Sequence, residues 1–305
     1  MKKTIDINYK LKITSGSTQN NLMLWLSKPI NVSGQVMESF QVNPEPKNSY
    51  RYRDNVVLFF DETLTKTKPF VLETRWRVHL SKQEALPKKT SFGDSGIQDY
   101  ETYTKSEQYL EVTNEITSLT ETVVEGTKNN IEKILKIFNY VVVNFTYEYP
   151  VQKRGVKNLN LKAPRGDCAE YSSLFVAMCR SIGIMARNVT GFVIFDKEKS
   201  IVEHGWSQVY TNEAGWVDVD TQYAALENSI ETGIKKYFLN RIEYRLITCI
   251  GFNILLEPNV PDNYSIEDCT NKLSLEMKKS VVQTLQPIAF AVLSKVSFND
   301  SISVQ

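Results

Sequence analysis

Three side chains in the second half of the chain have the types and the order of a thiol-catalysis constellation: Cys168, His204 and Asp220. A cysteine thiolate is a strong nucleophile towards carbonyl carbon. An imidazole can take and return its proton, and a carboxylate behind the imidazole fixes its tautomer and orientation. Each residue type alone is common in protein interiors for packing reasons. The case therefore rests on the elements that must present the three together.

Asp167 stands where a helix N-cap belongs, and Glu170 three residues later completes a capping-box pattern ahead of an apolar run. The spacing predicts a helix beginning at Cys168. A thiol there faces unpaired backbone N–H groups and the positive end of the helix dipole, which would lower its pKa. The same N–H groups could hold the oxyanion of an acyl-transfer intermediate. As a cap, Asp167 would point at N–H groups and oppose the shift only slightly. Leu174, Phe175, Val176, Ala177, Met178 and Ile182 make the helix apolar nearly all round, so a central, covered helix is expected, stopping at Gly183. Cys179 falls three turns on, roughly 16 Å from Cys168 by helical rise, too far for a disulfide. It reads as core, as does Cys249, and Cys269 carries no signal.

Beyond Met185 the period becomes two. Val202, His204, Trp206, Gln208 and Tyr210 share one face of a strand, residues 211–215 make a hairpin loop, and Trp216, Asp218 and Asp220 share a face of the next. If Tyr210 pairs with Trp216, then Trp206 faces Asp220 and His204 lies one diagonal step away. A slip of two residues would put His204 directly opposite Asp220. Either register lets a carboxylate reach the imidazole, and Asp218 competes for that role from the same face. Trp206 and Trp216 fit either shielding of the site or core packing. Arg165 and Arg187 fit either substrate contact or anchoring of the helix ends.

These segments resemble the transglutaminase-like superfamily in its bacterial form, whose core has the papain-like cysteine protease fold. The family pattern is Gly-x-Cys at a helix start, an apolar helix ending in Arg-x-x-Gly-Ile-Pro-Ala-Arg, then His-x-Trp, then Gly-Trp-x-x-x-Asp-Pro-Thr. Here it reads Gly166-Asp167-Cys168, Arg180 through Arg187, His204-Gly205-Trp206, and Gly215-Trp216 through Asp220-Thr221. Met185 replaces a proline, and Thr221 follows the aspartate directly. The resemblance implies Cys168 as nucleophile, His204 as base and Asp220 as orienting carboxylate. It implies acyl transfer through a thioester acyl-enzyme: hydrolysis of a peptide or amide bond in a protein or peptide substrate, or transglutaminase-type amine transfer. No cofactor or metal is expected. The alternative is a non-catalytic interaction module on the same fold. The implied fold class is α+β, an immunoglobulin-like β-sandwich with linker over 1–105, then a catalytic domain with a C-terminal extension over 106–305. In that second part a central helix would pack on an antiparallel sheet.

The rest of the chain must supply this framework. Its 305 residues are 42% hydrophobic and 23% charged with net charge +1, so nothing argues for nucleic acid or an anionic membrane as partner. Four irregularly spaced cysteines and two histidines offer neither a disulfide scaffold nor a metal knuckle. Met1-Lys2-Lys3 could open a secretory leader, but residues 4–12 alternate where an apolar stretch should follow, and no apolar run approaches the roughly 20 residues that span a bilayer. A cytoplasmic protein is expected. Alternation over 5–13 and 72–80, with shorter apolar runs over 22–26, 35–42 and 56–60, predicts five strands. His79 falls on a wet strand face among arginines and is not the base. Residues 81–105 read as linker, and helices are expected from caps at Asn114 and Thr127. Further on, residues 227–239 read as helix and 242–256 as strand. The tail suggests a helix over 273–285 and a strand over 288–296.

Overall fold

The computed structural model describes residues 2–304 apart from 17, 19, 83–99, 150, 152, 196–199, 242–243, 253, 260–280, 285–288 and 293–295. The first third is β: β1 (Lys2–Ser15), β2 (Asn20–Lys28), β3 (Gln35–Asn43), β4 (Asn48–Tyr52), β5 (Asn55–Leu64) and β6 (Phe70–Ser81). Five of these are the predicted strands. The sixth, β4, offers only Tyr50 and Tyr52 as alternating half-buried positions, and Asn48–Tyr52 pairs with β5 across a short turn.

Helices follow: α1 (Tyr100–Thr104), α2 (Asn114–Val124) and α3 (Asn130–Asn144). The expected linker thus ends in a helical turn, while residues 83–99 lie outside the described residues. Both predicted caps are displaced. Thr113 accepts from the Ile116 N–H and Asn129 from the Glu132 N–H, each from extended backbone. Asn114 is itself the first residue of α2, and Thr127 lies two residues ahead of the Asn129 cap.

Then come the short parallel strands β7 (Thr146–Tyr147) and β8 (Arg165–Gly166), followed by α4 (Cys168–Ser181), β9 (Ala186–Phe195), β10 (Ser200–Thr211) and β11 (Gly215–Val219). After them lie α5 (Thr221–Ala225), α6 (Ile230–Tyr237) and β12 (Tyr244–Ile250). Helix α4 is buried from Glu170 to Arg180 and packs against α2, α3, β9 and β10, as its all-round apolarity required. It ends with Gly183 at φ 74°, a left-handed position, where Gly183 N–H donates to Arg180 O and Ile184 N–H to Cys179 O. Sheet β11-β10-β9-β12 is antiparallel throughout. At Gly191, a Cβ would stand 1.9 Å from Leu246 O, so glycine there is what lets β12 close on β9.

The chain ends in β13 (Val281–Thr284), β14 (Ala289–Val292) and β15 (Val296–Val304). The helix expected over 273–285 is replaced by strand in its described part, where Val281, Val282 and Thr284 favour extended backbone. These strands return to the start of the chain: β15 pairs with β1, and β14 with β2. The N-terminal sheets are therefore β15-β1-β6-β3 and β13-β14-β2-β5-β4. Their facing residues, among them Ile7, Leu11, Leu24, Phe60 and Trp76, share one core with Phe192 and Leu246 of the third sheet. No helix among the described residues is long and apolar enough to cross a membrane.

Candidate active site

Cys168 occupies the first position of α4, and its capping residue Asp167 accepts from the Ala169 N–H at 2.8 Å. Glu170 does not close the capping box. Arg154, from the loop before β8, donates to Glu170 at 2.5 Å and to both oxygens of Asp167 at 3.0 and 2.7 Å, bolting that loop to the helix start. An arginine with two buried carboxylates in reach outcompetes one backbone N–H as their partner. Burial and the neighbouring Asp167 charge raise the Glu170 pKa, although Arg154 opposes the rise.

The sulfur of Cys168 lies beside Gly205, where a Cβ would stand 3.8 Å from Sγ. Burial pushes its thiol up to about 12, the Asp167 charge adds to the rise, and the Gly205 backbone hydrogen bond opposes it. This differs from the expectation of a thiol activated by the helix terminus alone. Asp167 sits close enough to count against the thiolate, and the surrounding protein leaves the half-buried thiol short of solvation. Loss of the proton therefore depends on an acceptor alongside.

His204 immediately precedes Gly205 on β10. Tyr210 pairs with Trp216, so the diagonal register is the one present. His204 Nε2–H donates to Asp220 Oδ2 at 2.8 Å, with both side chains buried. Because Nε2 is engaged, Nδ1 is the nitrogen left for proton exchange. The Tyr223 ring stacks on His204 at 4.1 Å and 13°, and Trp206 flanks it at 6.0 Å. Asp220 also caps α5, its Oδ1 accepting from the Tyr223 N–H at 2.9 Å. Burial raises its pKa, but His204 and Arg245 outweigh that and hold it far below the usual carboxylate range.

The rival carboxylate, Asp218, is occupied elsewhere. It accepts from both Arg241 Nε and Nη2, the latter at 2.9 Å, and from Gln208 Nε2 at 2.8 Å. Arg187 is an anchor: buried, it donates to Gln208 and to Asp54 at 3.1 Å and lies 4.0 Å over the Trp216 ring. Trp216 thus packs on Arg187, Tyr103 and Tyr210, whereas Trp206 alone of the two tryptophans flanks His204. Arg165 is exposed and pairs loosely with Glu148 at 3.7 Å. His79 pairs with Glu38 and Thr4 on the first sheet. Cys179 and Cys249 are buried, and Cys269 lies outside the described residues. Among the described residues no group of three His, Cys, Asp or Glu side chains could hold a metal ion.

Sequence reasoning missed Arg154, Tyr223 and Arg245. Arg245 left the clearest signal: a lone charge in the otherwise uncharged run Tyr244–Ile250, which a buried strand tolerates only with an acidic partner. That partner is Asp220, met by Arg245 Nη1 at 2.8 Å.

Comparison with known proteins supplies a family. Residues 117–221 match the transglutaminase-like superfamily. A protein-glutamine gamma-glutamyltransferase of Pseudomonas aeruginosa is 25% identical over 123 residues, 37% of this chain and 18% of that protein. An uncharacterized Bacillus subtilis protein, YebA, is 29% identical over 140 residues, 38% of this chain and 19% of that protein. The chain thus spans under a fifth of the length of these relatives. A candidate cysteine protease from Cytophaga hutchinsonii has the same fold over 100% of this chain and 92% of its own, with a TM-score of 0.64 at 13% identity.

Proposed function

The chain belongs to the transglutaminase-like superfamily through residues 117–221, and from that premise we propose that it is a thiol acyl-transfer enzyme working through Cys168, His204 and Asp220. The supporting observation is the buried 2.8 Å bond from His204 to Asp220, on the strand whose next residue abuts the Cys168 sulfur. Cys168 Sγ attacks the carbonyl carbon of a peptide or carboxamide as its proton passes to His204 Nδ1. Asp220 stabilises the imidazolium so formed. The Cys168 N–H, at the first helical position, faces the developing oxyanion, while the Ala169 N–H is held by Asp167. Collapse of the tetrahedral intermediate breaks the C–N bond, and the departing amine takes the proton from His204. Water, or a second amine, then attacks the thioester, gives its proton to His204, and releases Cys168.

Hydrolysis of protein or peptide amides is the reading we favour, with amine transfer sharing the same acyl-enzyme. The same proposal takes residues 1–105 as an immunoglobulin-like sandwich and linker and 106–305 as the catalytic part. The two facing N-terminal sheets support it, with β13–β15 returning to them.

Because the thiol by itself is held up near 12, reactivity at neutral pH requires His204 to accept the proton. Iodoacetamide should therefore modify Cys168 selectively below about pH 7, and His204→Ala should abolish that labelling. A Cys168 that labels no faster than the other thiols, with the pH profile of an ordinary thiol, would leave a non-catalytic module as the function. Peptide and amine libraries compared between wild type and Cys168→Ala then identify the acyl donor.

A further inference from the structure

Asp220 Oδ2 accepts two donors, His204 Nε2 and Arg245 Nη1, each at 2.8 Å. Arg245 lies on β12, opposite Val193 of β9, and is 1% exposed. Its guanidinium is held between two rings, 4.9 Å over Trp206 and 5.5 Å over Tyr223. Those are the same rings that flank the His204 imidazole. A cation so enclosed has one position, set by aromatic faces and a carboxylate rather than by water.

We propose that Arg245 is a positioning residue of this site: it clamps the Asp220 carboxylate against His204 and places a permanent positive charge one oxygen atom away from the imidazole. Two consequences follow from charge alone. The carboxylate, shared with a guanidinium, stabilises an imidazolium less than an unshared one would. An imidazolium facing a neutral thiol is then a buried excess charge, whereas an imidazolium facing the Cys168 thiolate is balanced. Arg245 therefore favours the two neutral states of the dyad, thiol–imidazole and thiolate–imidazolium, over the acid-inactivated one.

The other charged or titratable groups around His204 and Asp220 do not cancel this. Asp218, on the same hairpin, feels Arg245 but is saturated by Arg241. Asp220 N–H donates to the Tyr237 backbone oxygen, and Tyr223 and Tyr237 contribute neutral rings. From the start of α4 come Cys168 and, acting on it, the ion-paired cluster of Asp167, Glu170 and Arg154. Around His204, two aspartates against two arginines leave the buried cluster neutral before it takes a proton.

The role of Arg245 rests on the reading of His204 as base, but its electrostatic effect is measurable apart from catalysis. The chain contains only two histidines, so the imidazole of His204 can be followed by NMR in Cys168→Ala protein, with His79→Gln assigning the other. Arg245→Gln keeps an N–H donor for Asp220 and removes the charge; it should raise the His204 pKa by about one unit. Arg245→Lys, where NMR shows its ammonium charged, should leave it within about 0.3 of wild type. A folded Arg245→Gln protein whose His204 titrates as in wild type overturns the proposal. If that variant does not fold, an Arg245→Lys protein overturns it instead when NMR shows the lysine charged and the His204 pKa still rises by a full unit, or shows the lysine neutral and the His204 pKa unchanged. In protein carrying Cys168, the acid limb of iodoacetamide labelling should move up, in the same direction, in Arg245→Gln. Absence of low-pH labelling in wild type refutes the acyl-transfer reading, and leaves the His204 titration to decide on Arg245.

Discussion

Asp220→Asn changes one atom and separates two jobs of the same side chain. The amide can still accept from the Tyr223 N–H and cap α5, because asparagine is as good a cap as aspartate. What it cannot do is carry charge between His204 and Arg245. For opposite charges 2.8 Å apart, an effective dielectric of about 20 sets a ceiling of about 6 kcal/mol on the interaction between carboxylate and imidazolium. Part of that is already spent on Arg245, so we expect low-pH alkylation and turnover to fall by about 10^3-fold, on the order of 4 kcal/mol. Stability falls too, since Arg245 loses its 2.8 Å partner in the interior, at a cost of about 3–5 kcal/mol. At roughly 2 °C per kcal/mol, melting should drop by about 6–10 °C. Asp218→Asn supplies the control. It breaks an equally buried pair, with Arg241, and should lower melting by a comparable amount while leaving Cys168 reactivity within about threefold of wild type. Alkylation rates and melting curves of both variants decide the matter. Reactivity lost in Asp218→Asn and kept in Asp220→Asn would refute the assignment of the orienting carboxylate.

Two further outcomes follow from particular contacts. Burial and the Asp167 charge raise the Glu170 pKa, so the folded protein holds that proton more tightly than the unfolded chain. The sign of linkage then makes stability fall as pH rises from about 4.3 through the folded value, and Glu170→Gln should flatten that slope. Urea midpoints between about pH 5 and 8 measure it, and an unchanged slope in the variant would reject the cause given. Gly191→Ala would drive a methyl group into the Leu246 carbonyl, 1.9 Å from the new Cβ, and so prise β12 from β9. A loss of at least about 3 kcal/mol is expected by chemical denaturation, with Arg245 displaced from Asp220; a stable variant with wild-type labelling would contradict it.

Much of the site is written locally. Asp167 and the apolar run behind it specify where α4 starts, because capping and helical burial act within a few residues. Alternation on β10 and β11, with a short hairpin between, restricts Asp220 to a neighbour of His204, because antiparallel pairing propagates from the turn. For the same reason five of the six N-terminal strands are legible, and β4 is not: only Tyr50 and Tyr52 alternate in its five residues, and pairing with β5 completes it. The helix caps at Thr113 and Asn129 escape because Asn114 and Thr127 offer similar side-chain capping chemistry one or two positions away.

What the sequence by itself determined was the order and the faces: a cysteine at a helix start, a histidine and an aspartate on one side of a hairpin, and the family motif joining them. The tertiary structure decided the charges. Which aspartate serves His204 depends on Arg241 claiming Asp218 and Arg245 claiming Asp220, and both arginines lie more than 20 residues downstream, Arg241 just ahead of β12 and Arg245 on it. The state of the Cys168 thiol likewise depends on how much water the fold removes and on where Asp167 comes to rest. Capping and strand pairing are short-range and leave a pattern in neighbouring residues. Desolvation and Coulomb interaction act across space, between groups whose separation along the chain says nothing of their distance.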